Sequence, residues 1–281
     1  MTALGVDLAD RIVRVVVVGD DGRVIARGQG SDAVEIARTV ANGQKIACAG
    51  VASIDGASLA AGLAQIAGQI VACRAGAAAI TAEAWVGAAR GARHAACLKI
   101  GDRVLAGILL DGRPWTGAHG HAGAAAWLAL NPVERQDYRK VGSLAAEVSS
   151  KGIARRLTWR IQAGDHSAVL ERAGDLDAIT SVHVFDGARA GDGVSVSVVR
   201  DTAKYIGMAV ANLAVTLDPE VVVVTGSVAK ASDLLLEPVR QECARRVPPG
   251  MMDTLRVEFS PLGDDGVAIG AARIAATAGA A

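Results

Sequence analysis

The chain has 281 residues, 51% of them hydrophobic, 21% charged and 3% aromatic, with 29 Lys and Arg against 29 Asp and Glu. Zero net charge argues against a general nucleic-acid or polyanion binder, the apolar fraction without charge blocks argues against disorder, and no apolar run approaches the ~18 residues of a membrane span. About a fifth of the residues are alanine, so the core of one large domain or two lobes must be built from Val, Leu, Ile and closely packed small residues.

In chain order, Leu4 to Val18 reads as one strand, apolar almost throughout, and Asp20-Asp21-Gly22 as a hairpin turn into a second strand, Val24 to Ala26. Asp7, Asp10, Arg11 and Arg14 interrupt the apolar stretch, so no signal peptide is expected. Residues 31–42 read as a short amphipathic helix, Lys45 to Val51 as a strand, 58–67 as an Ala-rich helix, Ile70 to Cys73 as a strand and 75–90 as a helix. A second hairpin follows, Ala95–Ile100 with Val104–Leu110, then a turn at Asp111-Gly112 and Trp115. Residues 141–172 and 186–217 read as largely helical. The second run stops at Asp218-Pro219, before Val221–Val224, a strand apolar on both faces. Thr225-Gly226-Ser227 turns into a helix near 231–246; Arg256–Ser260 is a last strand and Gly266–Ala276 a closing helix. The order predicts an α/β fold of mixed sheets flanked by helices. Cys48, Cys73, Cys97 and Cys243 form no C-x-x-C pair, which favours inert core thiols in a reducing, cytoplasmic setting.

Several segments, in order, resemble the ROK family of sugar kinases and transcription regulators. They are Gly5-Val6-Asp7, Glu83 with Gly87-Ala88-Ala89-Arg90-Gly91, Gly117-Ala118-His119-Gly120-His121-Ala122-Gly123, Ala188-Arg189-Ala190-Gly191-Asp192, Leu217-Asp218-Pro219-Glu220 with the strand after it, and Leu262-Gly263-Asp264-Asp265 before Ile269-Gly270-Ala271-Ala272. The resemblance implies a two-lobed, actin-like (ribonuclease H-like) sugar-kinase fold. It divides the chain into a smaller lobe of residues 1–115 plus 266–281 and a larger lobe of 116–265. It also implies a homodimer, and transfer of the ATP γ-phosphate to a sugar hydroxyl in active members. Family regulators carry an N-terminal helix-turn-helix; this chain starts at the first strand, so no nucleic-acid partner is expected.

Position by position, the resemblance holds for the scaffold and fails at the chemistry. Family kinases carry the base in an Asn-Asp-Ala-Asn segment; counted back from Glu83, this chain reads Arg74-Ala75-Gly76-Ala77, so the base position is Ala75. A base is worth about 10²–10⁴-fold in rate. The sugar-binding Glu and His that follow Ala122-Gly123 become Ala124 and Trp127, and a further Glu becomes Ala145. Residues 131–143 hold no Cys, so no structural zinc is expected. The loop between Asp55 and Ile70 is shorter than in typical members, truncating one wall of the pocket. The first phosphate loop keeps Asp7, a candidate Mg²⁺ carboxylate, and continues Leu8-Ala9-Asp10-Arg11; the second reads Gly101-Asp102-Arg103-Val104-Leu105, with bulky residues for glycines. Asp10 and Asp102 would oppose a polyanion. Gly101, Gly226 and Ser227 are the remaining nucleotide candidates, with geometry alone an equal reason for Gly226.

Arg74, His119, His121 and Trp127 are the cleft candidates. Arg74 could face an anionic ligand, against the commoner surface or ion-paired arginine. The two histidines could hold a metal or sugar, against solvated loop histidines. Trp127 is expected to fill the vacated zinc-and-sugar site, and Trp85, Trp115 and Trp159 to pack. The sequence therefore points to a ROK-like protein without phosphotransfer activity, binding a small molecule such as a sugar or acting as a regulator. The alternatives are an ATP- and Mg²⁺-dependent hexose or amino-sugar kinase with an atypical site, and a structural partner of an active kinase.

Overall fold

The computed structural model describes residues 2–55 and 59–278. The first sheet is built from β1 (Ala3–Asp7), β2 (Val13–Val18), β3 (Val24–Gly30), β4 (Ile46–Ser53) and β5 (Ala67–Arg74), with α1 (Ala33–Ala41) and α2 (Ala60–Leu63) in the crossings. Its order is β3-β2-β1-β4-β5. β1, β2 and β3 are antiparallel neighbours, and β4 and β5 run parallel to β1. The stretch from Leu4 to Val18 is thus two strands, not one. Apolarity continues across the join, but the Leu8 N–H is drawn to the Ala52 carbonyl and the Ala9 N–H to the Asp7 carboxylate, which reverses the chain. The turn at Asp20–Gly22 forms as expected, with Gly22 at φ +82°. Of the helix expected over 58–67, residue 58 lies outside the described residues; α2 is a single turn, and β5 begins three residues before Ile70.

α3 (Ala75–Val86) leads into the second sheet, β6 (Ala95–Ile100), β7 (Val104–Leu110) and β8 (Arg113–Trp115). The helical run expected over 141–172 divides into α4 (Gln136–Val141), α5 (Ser143–Val148), α6 (Ser150–Gln162) and α7 (Ala168–Ala173). Gly142 breaks it at φ +91°, where a Cβ would stand 2.2 Å from the Ala126 carbonyl, and the Ser149 hydroxyl then caps α6. α8 (Ser181–Arg189) and α9 (Gly193–Leu217) follow, then β9 (Val221–Thr225), α10 (Ser232–Ala244), β10 (Arg256–Phe259) and α11 (Gly266–Thr277). The second sheet is ordered β10-β9-β6-β7-β8, with β9 parallel to β6. It takes in residues 95–115, which the sequence places with the first lobe, so sheet membership changes between β5 and β6.

α3 and α11 pack on each other between the sheets, and alanine and glycine make the closeness possible. A Cβ on Gly270 would stand 1.8 Å from the Ala78 carbonyl, and one on Gly5 or Gly50 equally close to the Ala268 or Ala271 carbonyl. Buried Ala75, Ala78, Ala79, Ala268, Ala271 and Ala272 line the same layer. The alanine excess is in this part a consequence of two helices squeezed between two sheets.

Candidate functional site

The carboxyl ends of β1, β4 and β5 lie side by side, with Asp7 registered against Ala52 and Ala52 against Cys73. Ends of parallel strands are where open α/β sheets place ligands. Asp7 is 1% exposed. Its Oδ1 accepts the Ala9 N–H at 2.8 Å, and its Oδ2 has no hydrogen-bond partner. Burial pushes its carboxyl up to about 6, with Lys99, the Ala9 N–H and Arg14 pulling back and Asp10 pushing further. The same burial, with Asp7 nearby, pushes the Cys73 thiol up to about 12. Burial also raises Cys48, Cys97 and Cys243, so all four thiols stay protonated at neutral pH.

Two hairpin turns meet above this row. From the β1–β2 turn, Asp10 reaches Lys99 near the end of β6, with Oδ2 2.6 Å from Nζ; the backbone N–H of Arg103, in the β6–β7 turn, donates to Asp10 Oδ1 at 3.2 Å. The pair is closed off, with Lys99 3% and Asp10 11% exposed. Gly101 and Ser227 come to the same place. A Cβ on Gly101 would lie 3.2 Å from Asp10 Oδ2, 3.3 Å from Ser227 Oγ and 3.5 Å from Lys99 Nζ. Gly226, at φ +87°, lies where a Cβ would stand 2.6 Å from the Ile100 carbonyl, so the close approach of β9's end to β6's end demands glycine whatever binds there. Three of the sequence candidates therefore converge with Asp7 nearby. Lys99, the charge at the centre, is not visible from the motifs. Its signal is a lysine inside an otherwise apolar strand, which implies a buried partner.

At the head of α3, Ala75 is buried and clusters with Ala9 and Ala52. Arg74, just before it, donates from Nη1 to the Ile54 carbonyl at 3.0 Å and lies against Gly120, where a Cβ would come within 2.7 Å of its Nε. It thus fastens the lobe-crossing segment to the end of β4. His119 and His121 are both exposed on that segment. Among the described residues, no group of three or more His, Cys, Asp and Glu is placed to hold a metal.

Trp127 does not fill a vacated pocket. It lies in a short 3-10 turn, 58% exposed, because that turn directs it outward, and Ala124 beside it is exposed too. Of the three tryptophans expected to pack, Trp85 lies against a core cluster, Trp159 is 42% exposed beneath two guanidinium groups, and Trp115 is 48% exposed. Segment 131–143 is held instead by charge. Buried Glu147 accepts from Tyr138 Oη at 2.6 Å and from Arg135 Nη1 at 3.1 Å. Asp137 pairs with both Arg135 and Arg155, whose guanidinium groups stack on Trp159 at 4.9 and 4.5 Å. Beside this network opens a cavity of about 600 Å³ lined by Arg156, Trp159, Asp201, Lys204, Tyr205 and others, on the larger lobe's helices.

One oxygen of Asp7 is unpartnered and could serve one position of a Mg²⁺ ion, but Mg²⁺ in such sites leans on substrate phosphates. The space between the two turns is occupied by the Asp10 carboxylate on Lys99.

Residues 68–278 match the ROK family. A glucokinase of Halalkalibacterium halodurans is 34% identical over 190 residues, 67% of this chain and 58% of that protein. One of Thermotoga maritima is 28% identical over 196 residues, 69% of this chain and 62% of that protein. The matched stretch thus spans about three-fifths of each of these curated relatives. A ROK family glucokinase from Streptomyces griseus, solved with glucose and AMPPNP, superposes with a TM-score of 0.85 over 99% of this chain and 100% of that one at 22% identity, a likeness of fold.

Proposed function

This chain belongs to the ROK family, and from that premise we propose that it is a protein of sugar-kinase descent that does not carry out base-assisted phosphoryl transfer, its interlobe cleft serving small-molecule binding or regulation. One observation carries the reading. The head of α3, where the resemblance puts the catalytic carboxylate, is Ala75, packed with Ala9 and Ala52. Alanine accepts no proton from a sugar hydroxyl. Ala124 and Ala145 stand where the resemblance expects sugar-binding carboxylates, so the loss extends to the second lobe.

The names of the relatives favour a second reading, an active ATP- and Mg²⁺-dependent sugar kinase. In that case Asp7, buried and titrating near 6, is the carboxyl best suited to metal or proton chemistry. A coupled phosphotransfer assay with ATP and Mg²⁺ over hexoses and amino sugars decides between the two. No turnover, together with saturable binding of a sugar by calorimetry, supports the first reading; turnover abolished by Asp7→Asn establishes the second. The division into lobes near residues 115 and 266, a homodimer and a cytoplasmic setting belong to the same proposal, supported by family membership. No helix among the described residues is long and apolar enough to cross a membrane. A structural partnership with an active kinase would show as co-purification.

A further inference from the structure

Asp10 is on the β1–β2 turn and Lys99 on β6, 89 residues apart, yet their side chains meet with almost no exposure. The Asp10 carboxylate is held by one ammonium at 2.6 Å and one backbone N–H at 3.2 Å, donors that an oxyanion would use, and the Ser227 hydroxyl, 3.4 Å from Ser150 Oγ, lies close by beside Gly101. A carboxylate and a phosphate ask for the same donors. Asp7 is a second carboxylate near Lys99, which pulls its titration down. With both near, their negative charge opposes the approach of a further anion to the ammonium.

We infer that Lys99, the Arg103 N–H and Ser227 form a phosphate-class oxyanion seat that the protein fills from within, with the Asp10 carboxylate as its resident anion. The pair then does two things. It ties the first sheet to the second without a ligand, and it denies the seat to any phosphate until Asp10 withdraws. This holds whether or not the protein transfers phosphate: in a silent protein the plug is permanent, and in an active one it is a latch that substrate must displace.

The test removes the plug and leaves the seat. Asp10→Ala and Asp10→Asn are titrated with inorganic tripolyphosphate by calorimetry, without divalent metal, beside the unsubstituted protein and Asp10→Ala/Lys99→Met. Each single variant is expected to bind at least about tenfold more tightly than the unsubstituted protein, as one charge-assisted hydrogen-bonding group exchanged for another implies. The double variant is expected to lose the gain. If a single variant is too unstable for calorimetry, tripolyphosphate should raise its melting temperature and leave that of the unsubstituted protein unchanged. Equal binding by the unsubstituted protein, a gain that survives Lys99→Met, or single variants with neither tighter binding nor a raised melting temperature overturns the inference. Failure here leaves the reading of Ala75 standing, because the phosphotransfer assay addresses that separately.

Discussion

Arg189 of α8 grips Asp233 of α10 through two parallel hydrogen bonds of 2.8 Å each, Nε to Oδ2 and Nη2 to Oδ1. Three residues on, Asp192 caps α9 by accepting the Ser195 N–H and also takes the Ala168 N–H at the start of α7. The Ala-Arg-Ala-Gly-Asp segment is therefore a clasp that fixes α7, α8, α9 and α10 against one another. Because the Arg189–Asp233 pair is partly solvated, Arg189→Ala should cost only about 1 kcal/mol and lose less at high salt. Asp192→Ala, which removes a helix cap, should cost about 1–2 kcal/mol. Urea melts at two ionic strengths measure both, and ligand binding should be untouched.

Glu147 is buried among Arg135, Tyr138 and Arg156. Removing it strands positive charge in the interior, so Glu147→Ala should destabilise by about 3–5 kcal/mol. Glu147→Gln, which keeps an acceptor for the Tyr138 hydroxyl, should cost less. Chemical denaturation of the pair reads the difference; equal small losses would show that the network is solvated.

Asp7 titrates near 6 in the folded protein, raised above the usual carboxylate value of 3.8 chiefly by burial. The folded state then holds its proton more tightly than the unfolded state. The penalty is absent well below pH 4, grows as pH rises from about 4 to 6, and is complete above, at about 3 kcal/mol for that difference. Asp7→Asn should raise the melting temperature at pH 7.5 in metal-free buffer and flatten the stability profile between pH 4 and 6. A variant less stable than its parent at pH 7.5 would contradict this origin of the shift.

Gly5 and Gly270 have no room for a methyl group: each Cβ would stand 1.8 Å from a backbone carbonyl. Gly5→Ala should force β1 away from α11 and cost about 3 kcal/mol or more. Gly43→Ala meets no neighbour but sits at φ +73°, so strain alone should cost about 1 kcal/mol. Thermal melts of the two separate crowding from conformational strain.

Much of the fold was legible because periodicity and turn chemistry are local. The hairpin at Asp20–Gly22, the all-apolar β9 and the stop at Asp218-Pro219 all form as read. The join between β1 and β2 was not legible, since apolar residues continue through it and the signal is a carboxylate folding back on its own backbone. Trp127 departs from expectation for a related reason: the resemblance says which residue it replaces, a sugar- and zinc-binding histidine, but only the path of the chain decides where it points.

The sequence by itself determined the family, the order of the elements and the alanines at positions 75, 124 and 145, where the resemblance implies carboxylates, because residue identities need no coordinates. Only the tertiary structure decided what stands in their place. It brought Asp10 onto Lys99 from 89 residues away, set Arg74 under Gly120, and turned the alanine excess into a close packing of α3 on α11. Those are long-range contacts, set by which sheet each strand joins, and no window of sequence contains both partners.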